Sequence, residues 1–301
     1  WSGFVAFEDI PHLEDPDYVG TANQRVANRP GFYMGTSRNF ADPYRGARIY
    51  DRLGALVESD DPVTRADLVA MQRDTYSTMA ASFTPIALEG TNVSDDAAWA
   101  VDALGDWDYR MDRNSKAALV FARWRQHFRN QTFGDEYYAN GLDSGYYPRY
   151  WTLQELPANS SWYDDRTTQT VETRSDIAAR ALEMAVDDVE TNGWETYGDY
   201  NVADVNHPFP LSFLDYPEGP TDGSPYTLNN YRVSEGDPVG SSWRMVVDGD
   251  SALGVIPGGN SGRYFSPHYA DQFDMWRNDE YKPLTWDAAG DPDIRFEEGG
   301  S

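Results

Sequence analysis

A chain of 301 residues with 40% hydrophobic and 14% aromatic content can bury a real core, so its formal charge of −26 does not imply disorder. The 50 acidic residues are spread along the whole chain, and the basic side is nearly all arginine, with Lys116 and Lys282 the two lysines. Such a surface repels nucleic acid and anionic membrane and excludes both as partners. Absence of cysteine excludes disulfides, thiol catalysis and thiolate metal sites.

Residues 1–45 are rich in Pro, Gly and Asn and read as loops and short extended pieces. Helical patterning starts in "DPYRGARIYDRLGALVES", which places Ile49, Leu53, Leu56 and Val57 on one face. "VTRADLVAMQRDTYSTMAASF" continues it, with Thr64 and Asp67 spaced as a capping box and Leu68, Met71 and Tyr76 as apolar positions. "SDDAAWAVDALGDWDYRMDRNSKAALVFARWRQHF" predicts two helices split by a turn at Gly105–Asp108. After a loop rich in Tyr and Trp, "SDIAARALEMAVDDVETNG" predicts a helix with Ser175 as N-cap. Its apolar positions are Ile177, Ala181, Met184 and Ala185, and Gly193 stands near its end. Beyond Trp194, Pro and Gly become frequent. Trp243–Val247 and Ala252–Ile256 flank a "DGD" turn and predict a hairpin. Loops in 1–45, helices in 46–193 and strands with loops in 194–301 make the fold class α+β. No apolar run approaches the ~20 residues that span a bilayer, so no membrane span is expected.

The chemistry-bearing residues are sparse. None of His12, His127, His207 and His268 has the spacing of a zinc motif, and no stretch matches a twelve-residue calcium loop, so no metal is expected within this chain. His127, between Arg125 and Arg129, is expected to be a surface or packing residue. "PGGNSG" has the glycines of a phosphate loop, but Pro267 follows and no helix begins there. "GNSG" (259–262) resembles the nucleophile motif of trypsin-like proteases, with Ser261, His268 and Asp271 as a candidate triad. Against it stand the helical character of the preceding residues and Arg263 and Tyr264 after the motif. G-x-S-x-G is not satisfied either. Residue chemistry therefore favours a structural loop built from Gly258, Gly259, Ser261, Gly262, His268, Asp271 and Gln272. In it glycines supply unusual backbone angles and polar side chains tie down buried backbone.

"PGGNSGRYFSPHYADQFDMWRNDEYKPL" resembles the C-terminal signature of the penicillin acylase family, P-G-G-Q-S-G, then S-P-H-Y-x-D-Q, a tryptophan and E-Y-x-P-L. "WSGFVAFEDIPHLEDPDYVGTANQ", "DPYRGARIYDRL", "TRADLVAMQRDTYS", "NHPFPLSFLDYP" and "SSWRMVVDGDSALGVIPGG" resemble further family blocks in the same order. Asn260, Gln24 and Phe7 stand where Gln, Asn and Pro are usual, and "TDGSPYTLNN" matches its block only loosely. The resemblance implies an N-terminal-nucleophile hydrolase of αββα sandwich architecture, cleaved autocatalytically into α and β chains. The substrates would be acylated amides: penicillin- or cephalosporin-type side chains, or N-acyl-homoserine lactones. The β chain's N-terminal Ser would be the nucleophile with its own amine as base, and an Asn would bind the oxyanion.

By the same resemblance, nucleophile and oxyanion Asn are expected upstream of the block resembling Trp1–Gln24. This chain then reads as the C-terminal portion of a β chain, inactive alone, whose partners are the α chain and the N-terminal part of the β chain. Calcium, common in the family, is expected elsewhere in the protein, with no cofactor in this chain. Export is the family's usual destination. In the cephalosporin and homoserine-lactone branch an acidic residue on a late strand orients a histidine, and alignment puts Asp248 there. Its place at the start of a turn supplies a simpler role. Two further alternatives are a non-catalytic helical interaction module and, more remotely, the serine protease. The acidic, lysine-poor surface resembles that of halophilic proteins, whose self-repulsion is screened when the Debye length falls to about 3 Å in molar salt.

Overall fold

A computed structural model describes residues 3–27, 39–232, 239–249 and 251–284. Among them the fold is mixed α+β: a helical body, then small antiparallel sheets.

The body begins with α1 (Tyr44–Val57), α2 (Arg65–Gln72), α3 (Thr78–Ala87) and α4 (Ala98–Gly105). Thr64 caps α2 through the expected box, its side chain accepting from Asp67 N–H while Asp67 accepts from Thr64 N–H. The helical patterning expected across 63–83 is carried by two helices, α2 and α3. The chain breaks where buried Asp74 accepts the N–H of Tyr76 (3.1 Å) and the guanidinium of Arg48 (2.7 Å). Ser77 then caps α3 by accepting from Ala80 N–H. On α1 the expected apolar face is only half covered. Ile49 and Leu53 lie against Gly20, Tyr18 packs on Tyr50, and Val57 is exposed.

The centre is α5 (Lys116–Ala139) against α7 (Arg174–Asn192), with the short α6 (Tyr150–Gln154) between them in sequence. Ser115 caps α5. Thr173, not the expected Ser175, caps α7, because Asp176 stands three residues on and closes the box. Gly193 ends α7 at φ 64°, the left-handed conformation glycine adopts without strain. Trp124, Phe128 and Phe83 are fully enclosed, and Trp124 Nε1 donates to Ala178 O across the helix pair (3.1 Å).

After α8 (Tyr197–Tyr200) come β1 (Val202–Ala203) paired with β2 (Gly219–Pro220), and β3 (Tyr231–Arg232) paired with β4 (Val239–Gly240). The expected hairpin is β5 (Arg244–Asp248) and β6 (Ser251–Val255), with Asp248 opposite Ser251. Asp250 of its turn lies outside the described residues. A third strand, β7 (Lys282–Leu284), joins β6 after α9 (Phe273–Arg277) and was not expected from the sequence. Here Ala203, Tyr231, Val255, Phe273 and Trp276 form a second, smaller core. Polar contacts fasten it to the helices. Arg73 Nε donates to the carbonyl of Asp279 (2.6 Å) and Gln72 to the carbonyl of Met245 (2.9 Å), while Arg244 Nη1 holds the Asp279 carboxylate from the sheet side (2.7 Å).

Candidate functional site

The glycine-rich loop leaves β6 and folds back onto the start of α9. Gln272 N–H donates to Gly258 O (2.8 Å), and the buried Gln272 side chain donates to Asn260 Oδ1 (3.2 Å). Ser261 N–H donates to His268 O (3.0 Å). Gly259 lies so close to that carbonyl and to Asp271 that any Cβ there would collide with both. Ser261 Oγ accepts from Arg263 N–H (3.1 Å), and the His268 ring is bonded through Nδ1 to Asp271 Oδ2 (2.9 Å). No hydrogen bond joins the His268 ring to Ser261 Oγ among the described residues, so serine, histidine and aspartate are neighbours without the relay a triad requires. The helical body is equally foreign to a double β-barrel protease. Ser2 lies outside the described residues.

Asp248 ends β5 and is exposed. Its carbonyl accepts from Ser251 Oγ (3.2 Å), whose oxygen in turn accepts from Arg65 on α2 (2.7 Å). Asp248 lines an open groove with Arg65, Arg73 and Leu253. His127 has a structural partner instead: its Nε2 meets Asp188 at 2.6 Å, beside Arg123 at 2.6 Å.

A further constellation was not legible beforehand. Asn23 takes φ 64°, the left-handed conformation that asparagine adopts more readily than most residues. Its carbonyl accepts from Ala41 N–H (2.8 Å) and its Oδ1 accepts from Arg45 Nη2 (2.9 Å). Arginine only donates, so the amide oxygen faces it, and among the described residues no hydrogen bond is recorded for the Nδ2 group. Arg45 is half-buried, and burial lowers its pKa. The "TAN" and "YRGAR" segments hold both residues, but their 22-residue separation hides the contact.

A family model described as penicillin amidase matches residues 1–291. The chain belongs to the penicillin amidase family. It is 26% identical over 322 residues to penicillin acylase 2 proenzyme of Pseudomonas sp. (strain SE83), covering 95% of this chain and 39% of that protein. It is 27% identical over 326 residues to acyl-homoserine lactone acylase QuiP of Pseudomonas fluorescens (strain Pf0-1), covering 93% and 38%. This penicillin amidase family chain therefore spans about two fifths of the length of the relatives it matches.

Proposed function

We propose that this chain is the C-terminal part of the β chain of an amide hydrolase that removes acyl groups from penicillin- or cephalosporin-type amides or from N-acyl-homoserine lactones. The observation that carries the reading is the match to one family along residues 1–291, at two fifths of the relatives' length. The chain contributes scaffold and part of the catalytic face. The nucleophilic β-chain Ser, activated by its own amine, comes from the preceding part of the β chain. The α chain and that part of the β chain are its partners, and its small sheets complete the αββα sandwich with theirs. Exposed Phe4, Phe7, Leu13, Trp243, Val247 and Phe265 support this, since so much apolar surface suits a partner better than water.

Within the chain the resemblance assigns the oxyanion Asn upstream, but the geometry supports Asn23. Arg45 orients its amide so that Nδ2 is a preorganised donor for developing negative charge. The glycine-rich loop acts as a structural clasp between β6 and α9. Asp248 opens the hairpin turn, and a positioning role toward a histidine of the complete enzyme is the second reading. The isolated chain is expected to hydrolyse no acyl amide, while the complete processed precursor does. Hydrolysis by the isolated chain that is lost in Ser2→Ala overturns the assignment.

A further inference from the structure

We propose that Arg125, on the buried side of α5, holds a monovalent inorganic anion of chloride size in a pit walled by Tyr150 of α6 and Tyr226 of the loop before β3. The inference rests on an unpaired buried charge and stands apart from the acylase reading. Arg125 is 9% exposed. Arg123, Arg180 and Arg244 each meet a carboxylate. Arg125 meets none among the described residues. Its Nη1 donates to Tyr150 OH (3.3 Å), and Nε and Nη2 donate to nothing described. A desolvated guanidinium without a counter-charge is strongly unfavourable. The chain carries 50 acidic residues, so a carboxylate is missing here and nowhere scarce.

The walls select the ligand. The guanidinium lies 5.6 Å from the ring centre of Tyr150 and 5.2 Å from that of Tyr226, and the two rings meet edge-on. Ring faces offset part of the positive charge, but they leave the in-plane N–H donors of Arg125 unused. Burial raises the pKa of Tyr226 and Tyr197, so both phenols stay neutral and supply no counter-charge. Asp42, whose charge is felt at Tyr226, is turned to the Trp151 N–H (2.8 Å). Tyr226 is half-buried, and its hydroxyl has no hydrogen bond among the described residues. Neither that hydroxyl nor Arg125 Nε and Nη2 is sealed from solvent, whereas Arg52 Nε and Tyr163 OH are. Arg129 stacks on Tyr150 (4.8 Å) with Nε and Nη2 taken by the carbonyls of Pro148 and Tyr147. It adds positive potential without competing for the ligand. Convergent N–H and O–H donors with no free carboxylate suit an anion, and one unpaired guanidinium balances a single charge.

The test is bromide anomalous diffraction on crystals of the complete processed protein, joined to melting curves in which chloride or bromide replaces gluconate at fixed ionic strength. An anomalous peak between Arg125, Tyr150 and Tyr226 is expected. The Tm of the parent should rise with halide, to saturation, by about 3 °C or more beyond the rise in Arg125→Gln. The general response to the salts is common to both proteins and cancels. Tyr226→Phe keeps the ring, removes one donor and should lower the bromide occupancy, and it supplies the comparison if Arg125→Gln does not fold. A water or a carboxylate of the partner chain in place of the peak overturns the proposal, as does an equal halide response in parent and variant. A peak with no saturable response in solution is binding at crystal concentration only and overturns it too. Acyl-amide hydrolysis is not a readout here, so a protein that cleaves no amide yet shows the peak sinks only the amide-hydrolase reading.

Discussion

Asn23 carries the sharpest residue-scale consequence. If its amide binds the oxyanion, Asn23→Ala in the complete enzyme should lower kcat by about 10²–10³-fold with little change in KM, the signature of a contact made in the transition state. A change in KM alone would reduce Asn23 to ground-state binding. Asp248 is tested in the same assay. With the turn role, Asp248→Asn leaves kcat/KM unchanged, whereas a fall of about tenfold or more assigns it to positioning. Glu136 bears on stability. Burial, then its hydrogen bond with Asp135, pushes its pKa from 4.5 up to about 7. The folded state therefore holds a proton that the unfolded state has released, and its contribution to stability declines as pH rises from 4.5 through about 7. Glu136→Gln should gain Tm relative to the parent at about pH 8 and lose that advantage at about pH 4. A pH-independent difference between the two would refute this linkage.

At the scale of elements, the start of α7 separates pattern from geometry. Thr173 and Asp176 exchange hydrogen bonds, Asp176 accepting from Thr173 N–H at 2.9 Å, while the Ser175 hydroxyl meets only Thr173 Oγ1 at 3.1 Å. Thermal unfolding should therefore show Thr173→Ala costing about 1 kcal/mol and Ser175→Ala a few tenths at most. Equal losses would return the cap to Ser175. The hairpin gives a related lesson. Its position follows from "MVVDGDSALGV", and its burial alternates residue by residue, but not by hydrophobicity: Arg244 and Val246 are buried, while Trp243, Met245 and Val247 are exposed. Arg244 points inward because Asp279, Asn229 and the carbonyl of Trp276 receive it. Those partners lie 15 to 35 residues away, beyond any local pattern. Burial raises the pKa of Asp279, and the neighbouring Arg244 opposes that shift.

For the whole molecule, charge is the governing quantity. A net charge of −26 on 301 residues means strong self-repulsion in dilute buffer. Moving from low to molar salt shortens the Debye length from roughly 30 Å to about 3 Å, so Tm should climb steeply over that range. A Tm flat in salt would remove the halophilic interpretation while leaving the fold untouched. Against this surface, the arginines are concentrated where carboxylates must be held. Arg48, Arg52 and Arg110 lie within 4.0 Å of buried Asp74, and Arg180 joins Asp165 to Glu172.

Family membership, the α+β order, most helices with the box at Thr64 and the left-handed end at Gly193, and the hairpin were all readable from the sequence. Each depends on spacings of a few residues or on whole motifs. Tertiary structure alone decided the break at Asp74, the third strand at Lys282–Leu284, the inward arginine of the hairpin, the missing link between Ser261 and His268, and the pairing of Asn23 with Arg45. The physical reason is common to the four that are contacts. A hydrogen bond or ion pair between distant segments forms only when the packed helices and sheets bring its partners within about 3 Å, and no local periodicity encodes that approach.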